Sequence, residues 1–236
     1  GMSGPRVVVL GIAGQYPLAG VTWQAIHYLV GLRALGCDVY YVEDSGAPPY
    51  DPASGGIGVA AEANVGFLAD VMRRYDFDDR WAYWDGLTDR WYGRDHAAVR
   101  TLYASADAIF NLCGATKLRD EHRQGATICY VETDPMYEQM RVAKGEEDSI
   151  GFLGSHDVLF TYGELLGTPS CRVPAERFRW VPTRPPVVPE LWRPGGEGRA
   201  FSSIATWENK GKNVAFRGET YYWSKHVNFL AMIDVP

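Results

Sequence analysis

The chain has 236 residues, of which 46% are hydrophobic and 13% are aromatic, and its formal net charge is −6. This size and composition predict a globular protein with one large core, or one core and part of a second. The negative charge argues against a general binder of nucleic acids or anionic membranes, and no apolar run approaches the roughly 20 residues of a membrane span.

The first 44 residues predict a βαβ unit. An apolar run at 7–12 is typical of a strand buried on both faces, and a second run at 39–42 contains β-branched and aromatic residues. Between these runs, apolar residues recur at helical spacing from Trp23 to Ala34, and Gly36 has the position of a helix C-terminal cap. Because the helix crosses from one strand to the next, the two strands are expected to be parallel.

The same alternation of strand and helix continues to about Arg193. Five further strands are predicted, at 81–84, 108–112, 126–131, 158–162 and 178–181. Further helices are predicted at 61–72, at 97–105 and around 150–153. The predicted fold class is α/β, with a Rossmann-like, mainly parallel sheet of seven strands and helices on both faces.

The C-terminal part of the sequence differs from what precedes it. A proline-rich segment at 183–196 predicts an extended linker. After it we predict a strand at 201–205, a hairpin at 213–223 that turns at Arg217 and Gly218, and a short helix capped by Ser224. We therefore predict a Rossmann-like domain at 1–193, and a linker with the incomplete start of a second domain at 194–236.

Aromatic residues are dense in this tail. Seven of them lie between Phe201 and Phe229, more than a strand, a hairpin and a short helix can bury alone. We expect these rings to pack on the main domain or on another chain, so self-association through the tail is one possible partner interaction.

The four cysteines are widely spaced and form no C-x-x-C pair. That pattern predicts buried, reduced thiols in a cytoplasmic protein, rather than a disulfide framework or a zinc site. The sequence shows no cluster of metal ligands, so we predict that no metal is bound.

Polar residues collect at the predicted carboxyl ends of the strands, where open α/β sheets bind their ligands. In chain order they are Gly14 and Gln15, Glu43 and Asp44, Asn111, Glu132 and Asp134, Tyr162, Gly163 and Glu164, and Thr183 and Arg184. Any sheet of this kind has such a cluster, so the pattern locates a candidate site without naming its chemistry.

Several of these residues also have a purely structural interpretation. The glycine spacing of the first loop differs from the G-x-G-x-x-G of dinucleotide binders, and Gly14 and Gly20 could equally permit a turn and a close helix approach. His27 lies on the apolar face of its helix, which favours a packed core residue over a catalytic base. Glu43 is interpreted as a solvated carboxylate at the end of its strand.

The segment from Glu132 to Pro135 directly follows a predicted buried strand. Pro135 suits the first turn of a helix and Asp134 its N-cap, and a capped carboxylate is also a fixed one, so capping and catalysis both stay open for Asp134. Glu132 is nearer the strand, where its side chain is expected to face a flanking helix layer. In the tail, the loop from Thr206 to Lys212 suits either a phosphate contact or an ordinary basic surface loop.

The chain resembles glycosyltransferases of the GT-B fold, in particular the N-terminal half of a bacterial group of them. The resemblance lies in an ordered series of segments: VLGIAGQYPLAGVTWQ, YVETDPMYEQ, LFTYGELLG, VPTRPPVVPELW and FSSIATWENKGKNV. It implies two Rossmann-like domains placed face to face, the first holding the acceptor and the second holding most of a nucleotide-sugar. The chain ends at Pro236, where most of the second domain of such an enzyme would begin, so activity of this chain alone stays open.

The resemblance implies transfer of a sugar from a nucleotide-diphospho-sugar to an acceptor hydroxyl, with no cofactor other than the donor. Asp134 is then the predicted catalytic base, favoured in its ionised form by the helix dipole, and Glu132 is the second candidate. The residues predicted to bind substrate are Gly14, Gln15, Thr22, Tyr162, Glu164, Thr206 and Lys210. Two alternatives stay open: a nucleotide-binding Rossmann enzyme such as a dehydrogenase or epimerase, and a non-catalytic α/β binding module.

Overall fold

The structure is a computed structural model that describes residues 4–192, 195–196, 207–208, 211 and 213–234. The strands are β1 (Arg6–Leu10), β2 (Asp38–Glu43), β3 (Tyr50–Asp51), β4 (Gly56–Ile57), β5 (Trp81–Asp85), β6 (Arg90–Gly93), β7 (Ala108–Leu112), β8 (Thr127–Glu132), β9 (Val158–Thr161), β10 (Trp180–Pro182), β11 (Val214–Phe216) and β12 (Glu219–Tyr221). The α-helices are α1 (Ala19–Ala34), α2 (Glu62–Arg74), α3 (His96–Ser105), α4 (Tyr137–Ala143), α5 (Glu147–Gly154) and α6 (His226–Leu230).

Eight strands form one sheet in the order β10-β9-β8-β7-β1-β2-β5-β6. Every neighbouring pair in this sheet is parallel except β5 and β6. The predicted α/β class, the seven predicted strands and the parallel pairing through the centre of the sheet are therefore confirmed. The order reverses at β1, so the loops that follow β1 and β7 flank the crevice in which doubly wound sheets bind ligands.

The structure adds one strand to the seven that the sequence predicts, namely the edge strand β6. It pairs antiparallel with β5 across a tight turn, in which the Asp85 carboxylate accepts hydrogen bonds from the Leu87 amide at 2.9 Å and the Thr88 hydroxyl at 2.5 Å. The four residues of β6 begin with Arg90 and end with Gly93, so they offer no apolar run of strand length. A sheet count based on apolar runs therefore falls one strand short.

Helices cover both faces of the sheet, as predicted. Alternate residues of β1 point to opposite sides, so that Val7 and Val9 join one buried cluster while Val8 and Leu10 join another. The first cluster includes buried residues of α1 and α2, and the second includes those of α3. A third cluster packs α4 and α5 against β8 and β9.

The boundaries of two helices test the predicted caps. Gly36 follows α1 with a φ of 87°, which is the left-handed conformation of a C-terminal cap, and this prediction is confirmed. The prediction for α4 is wrong, because that helix begins at Tyr137 with Met136 as its N-cap, so Asp134 and Pro135 lie in the preceding turn. The reason is the Gln139 side chain, whose Oε1 accepts the Met136 amide at 2.7 Å and fixes the helix start two residues later.

The hairpin predicted in the tail is present. Strands β11 and β12 pair antiparallel, and the turn residues Arg217 and Gly218 have φ angles of 49° and 84°. The predicted cap at Ser224 is wrong, because Lys225 occupies the N-cap of α6 and the Ser224 hydroxyl lies 2.7 Å from Nδ1 of His226. The predicted strand at 201–205 lies outside the described residues.

The tail packs only partly on the main domain. Strand β11 contacts α4, and Val214 is buried there. Trp207 stacks on Phe229 with 5.9 Å between ring centroids, but 51% of Trp207 and 61% of Tyr222 remain exposed. The ring contacts of Trp207 are thus made within the tail, and the expected packing of the tail aromatics on the main domain stays a prediction. Self-association stays a prediction.

The proline-rich segment lies against α1 rather than projecting as a free linker. Nδ1 of His27 accepts the Val188 amide at 3.0 Å, and the Trp192 ring stacks on Trp23 with 4.6 Å between centroids. Leu191 packs against the first core cluster. His27 is thus a packed residue, as predicted, and burial lowers its pKa.

All four cysteines are free, in agreement with the prediction, although only Cys129 is buried and the other three are partly exposed. Among the described residues, no helix is long and apolar enough to cross a membrane.

Candidate functional site

The loops that follow β8 and β9 bring four predicted site residues together. Glu132 and Thr161 are register partners at the ends of these strands, and the Tyr162 amide donates to the Glu132 carbonyl at 3.1 Å. A Cβ added to Gly163 would lie 3.1 Å from Cβ of Pro135, so the two loops touch and the glycine permits their close approach. Glu132, Asp134, Tyr162 and Glu164 therefore belong to one local site.

Glu132 is buried beneath this site and faces α4, which confirms the expectation that its side chain meets a helix layer. Both of its carboxylate oxygens lie 2.7 Å from Nε2 of Gln139, and the Thr161 hydroxyl donates to Oε2 at 2.6 Å. Burial raises the pKa of Glu132 to about 7, although these two donors act in the opposite direction. A carboxyl with that pKa changes its protonation state near neutral pH.

Asp134 differs from Glu132 in its access to solvent. It lies exposed in the turn between β8 and α4, while Glu132 is only 1% exposed. The loss of the predicted N-cap also removes the helix-dipole argument for Asp134, because the helix begins three residues further on. In this conformation Asp134 can contact a ligand, whereas Glu132 contacts the buried residues that support the site.

The neighbouring residues supply further polar groups at the same edge. The Tyr162 hydroxyl lies 2.8 Å from that of Tyr28 on α1, and burial raises the pKa of both. Glu164 and Arg184 form an exposed bidentate ion pair at 2.6 and 3.0 Å. Thr22 lies in the first turn of α1, where its hydroxyl donates to the Leu18 carbonyl at 3.0 Å.

The loop after β1 is folded around the side chain of Glu43. The amides of Gly14 and Gln15 donate to the two Glu43 oxygens at 2.5 and 2.8 Å, and the Tyr41 hydroxyl donates to Oε1 at 2.7 Å. The interpretation of Glu43 as a solvated carboxylate is wrong, since the residue is only 4% exposed. Burial raises the pKa of Glu43 to about 7, against the lowering effect of these donors.

The carbonyl groups of the same loop are also hydrogen-bonded inside the protein. Nδ2 of Asn64 donates to the carbonyls of Gly14 at 2.9 Å and Tyr50 at 3.0 Å. A Cβ on Gly14 would lie 3.0 Å from Leu68, which gives this glycine a structural reason of its own. The Gly14 and Gln15 amides, which a dinucleotide-binding loop would direct at a phosphate, are therefore engaged by an internal carboxylate.

A second polar cluster surrounds Asp44, which follows β2 on the opposite face. Asp44, Glu121 and His122 lie close enough to offer three metal ligands. However, Nη2 of Arg119 donates to both Asp44 and Glu121 at 2.7 Å, and Nε2 of His122 lies 2.9 Å from Oδ2 of Asp44.

The protonation of His122 argues further against a metal. Its Nδ1 accepts the Arg119 amide at 2.9 Å, so the ring proton is on Nε2 and is directed at Asp44. Burial alone would raise the pKa of Asp44, but the hydrogen bond from His122 and the charge of Arg119 outweigh it and lower this pKa to about 2. The cluster is an internal ion-pair network whose ligand atoms are already engaged.

Sequence reasoning missed Gln139, Thr161 and Asn64, which hold the two loops in place. A signal for Gln139 is present, because a Gln at the third helical position commonly bonds back to the N-cap amide. That signal depends on knowing where the helix begins. Thr206 and Lys210, predicted to contact the donor, lie outside the described residues.

The chain matches no protein family model, and no curated protein matches its sequence.

Proposed function

We propose that this chain is the acceptor-side domain of a GT-B glycosyltransferase that moves a sugar from a nucleotide-diphospho-sugar to an acceptor hydroxyl. The observation that carries the proposal is the β8–β9 edge, where exposed Asp134 lies beside the Tyr162 and Glu164 loop and above buried Glu132. An exposed carboxylate among hydroxyl and carboxylate groups suits recognition of a polyhydroxylated acceptor and removal of its proton.

The first loop supports an acceptor-side role over a dinucleotide-binding one. The Gly14 and Gln15 amides are directed at Glu43, so a diphosphate at this position would meet a buried carboxyl group rather than free donors. A dehydrogenase or epimerase is therefore the weaker proposal. Titration of the chain with NAD(H), followed by nicotinamide fluorescence, should give no saturable binding. Micromolar binding would favour the Rossmann enzyme instead.

In the proposed mechanism Asp134 accepts the proton of the acceptor hydroxyl as its oxygen attacks the anomeric carbon of the donor. The bond from that carbon to the diphosphate breaks, and hydrogen-bond donors stabilise the negative charge of the leaving group. Thr206 and Lys210 are proposed to contact that diphosphate, on the basis of the sequence resemblance.

The test is to compare Asp134→Asn with Glu132→Gln in the intact enzyme. If Asp134 is the base, Asp134→Asn should lower kcat by about 10²-fold or more and leave donor affinity and folding largely unchanged. Asp148→Asn makes the same chemical change at an exposed position of α5 and should keep normal turnover. Release of the nucleoside diphosphate in the presence of an acceptor reports the reaction.

Two outcomes would revise the mechanism. Normal turnover in Asp134→Asn would remove this residue from catalysis. A loss of that size in Glu132→Gln alone would transfer the role of base to Glu132 and would require the site to open in the active conformation. Absence of glycosyl transfer by the unmodified enzyme with all common nucleotide-sugars would contradict the proposed function itself.

A further inference from the structure

The turn that carries Asp134 contains an unusual backbone conformation. Met136, its last residue, has a φ of 100° and a ψ of −45°, a region that residues with a side chain rarely adopt. Such a conformation is strained and persists only where surrounding contacts impose it. A specific set of contacts must therefore hold this turn.

Those contacts form a chain of hydrogen bonds that begins at Glu132. The Glu132 carboxyl accepts from Nε2 of Gln139 at 2.7 Å, which fixes the orientation of the Gln139 amide. The opposite end of that amide, Oε1, then accepts the Met136 amide at 2.7 Å. Both side chains are buried, Glu132 being 1% and Gln139 2% exposed.

A second branch reaches the neighbouring loop through Thr161. The Thr161 hydroxyl donates to Glu132 at 2.6 Å and accepts the Gly163 amide at 3.0 Å. The same buried carboxyl thus connects to the loop of Asp134 through Gln139, and to the loop of Tyr162 and Glu164 through Thr161. We infer that Gln139 is a positioning residue of the proposed site, which acts through Glu132 and Met136 to hold the turn that presents Asp134.

The inference rests on the proposed function only for the role of Asp134; the hydrogen-bond network is independent of it. Several charged groups face Glu132 and affect its titration. Beside burial, Glu138 of α4 and Asp134 of the turn both raise its pKa, and Nη1 of Arg141 lies 3.5 Å from Oε1 of Glu138. Tyr130 lies on the same strand, and burial together with Glu132 raises its pKa above the ordinary value. Substitutions at these positions are therefore avoided in the test.

Two substitutions of Gln139 distinguish its hydrogen bond to the Met136 amide from its hydrogen bond to Glu132. Gln139→Glu keeps an acceptor for the Met136 amide but places a second carboxyl beside Glu132. Gln139→Met has a similar shape and removes both hydrogen bonds. The matched control is Gln124→Met, which changes an exposed glutamine before β8 whose Nε2 donates to the Asp120 carbonyl at 2.9 Å.

The first measurement is a pH titration of carboxyl-¹³C-labelled glutamate in the whole chain, with the Glu132 signal assigned from its loss in Glu132→Gln. Gln139→Met should raise the Glu132 midpoint by about one pH unit, since the ionised form loses a donor. The second measurement is hydrogen exchange of the Met136 amide, which should quicken at least about tenfold in Gln139→Met and much less in Gln139→Glu. Gln124→Met should change neither.

Unchanged Met136 exchange and an unchanged Glu132 midpoint in Gln139→Met would overturn the inference. If Gln139→Met does not fold, the test uses Gln139→Glu instead. An unchanged Glu132 titration midpoint in Gln139→Glu would equally overturn the inference. Activity of the intact enzyme is a separate readout, in which both variants should lower kcat more than they raise KM and shift the pH profile. If the NMR changes occur as expected but even the unmodified enzyme transfers no sugar, the proposed function would be contradicted. The hydrogen-bond network would still be established.

Discussion

Three carboxylates at or directly after the ends of β2 and β8 show how neighbouring groups determine the protonation of a buried acid. Glu43 and Glu132 are buried among neutral donors, and burial raises the pKa of each to about 7. Asp44 is equally buried, but His122 and the Arg119 guanidinium lower its pKa to about 2. Neutral hydrogen bonds thus offset only part of the desolvation, whereas a cation reverses its effect.

Glu43 gives a test of this difference at the level of one residue. Its pKa is higher in the folded than in the unfolded chain, so its contribution to stability is present at low pH and is lost as pH rises through about 7. Glu43→Gln has no such titration and should destabilise the protein by about 1–3 kcal/mol at pH 5, because its NH₂ group faces a backbone amide. The difference in unfolding free energy between the two proteins should shrink by about 2 kcal/mol between pH 5 and pH 8.

Urea unfolding at both pH values measures this difference. Glu190→Gln, at an exposed position, makes the same change and should give a difference that does not vary with pH. His27 and His156 also titrate in the folded protein with lowered pKa values, but they are common to all three proteins and cancel. A difference for Glu43→Gln that is constant with pH would show that Glu43 does not titrate as inferred.

At the scale of elements, the strands could be predicted and several end contacts could not. A buried parallel strand produces an apolar run that is visible in the sequence alone, and all seven predicted strands are present. The start of α4 depends on a side chain three residues inside the helix, and the burial of Glu43 depends on a loop 28 residues earlier folding over it. Such contacts join distant residues, which a local pattern does not encode.

The segment from Thr183 to Trp192 shows the same limit. Its prolines predict an extended chain, and the structure adds that this chain is attached to α1 through His27 and Trp23. Beside that hydrogen bond and ring stack, Leu191 packs against the first core cluster, and Trp192 remains 52% exposed. An element held in this way should open locally without global unfolding.

Trp192→Ala tests the attachment. Loss of the stack on Trp23 should remove about 0.5–1.5 kcal/mol, so the Val188 amide should exchange with solvent a few-fold to about tenfold faster. Amides of the central strands should keep their protection, as measured by hydrogen exchange. Trp207→Ala removes a comparable stack in the tail and should leave Val188 unchanged. Unaltered exchange at Val188 in Trp192→Ala would mean that the segment is held by other contacts.

At the scale of the whole molecule, polar groups at the carboxyl edge divide into two sets. Glu43, Asp44 and Glu132 are buried and contact residues that are far away in sequence. Asp134 and Glu164 are exposed at the surface of the same edge. The sequence located both sets at one edge but could not separate them, because the separation depends on which loops and helices fold over each side chain. The buried set gives the loops a fixed shape, and the exposed set can meet a ligand.

Asp44 joins the end of β2 to the segment around Arg119 and His122, 75 and 78 residues away, so its loss should affect the whole fold. Asp44→Asn leaves His122 without its carboxylate partner and Arg119 with Glu121 alone, and it should lower the unfolding free energy by about 3–5 kcal/mol at pH 7. Because the folded pKa of Asp44 is lowered to about 2, its contribution is present above the unfolded pKa and is lost as pH falls. The deficit of the variant should therefore shrink by about 1 kcal/mol between pH 5 and pH 3 in urea unfolding.

The control is Asp78→Asn, which changes an exposed aspartate and should show neither effect. A deficit for Asp44→Asn below about 1 kcal/mol would mean that the network around Asp44 contributes little to the stability of the fold.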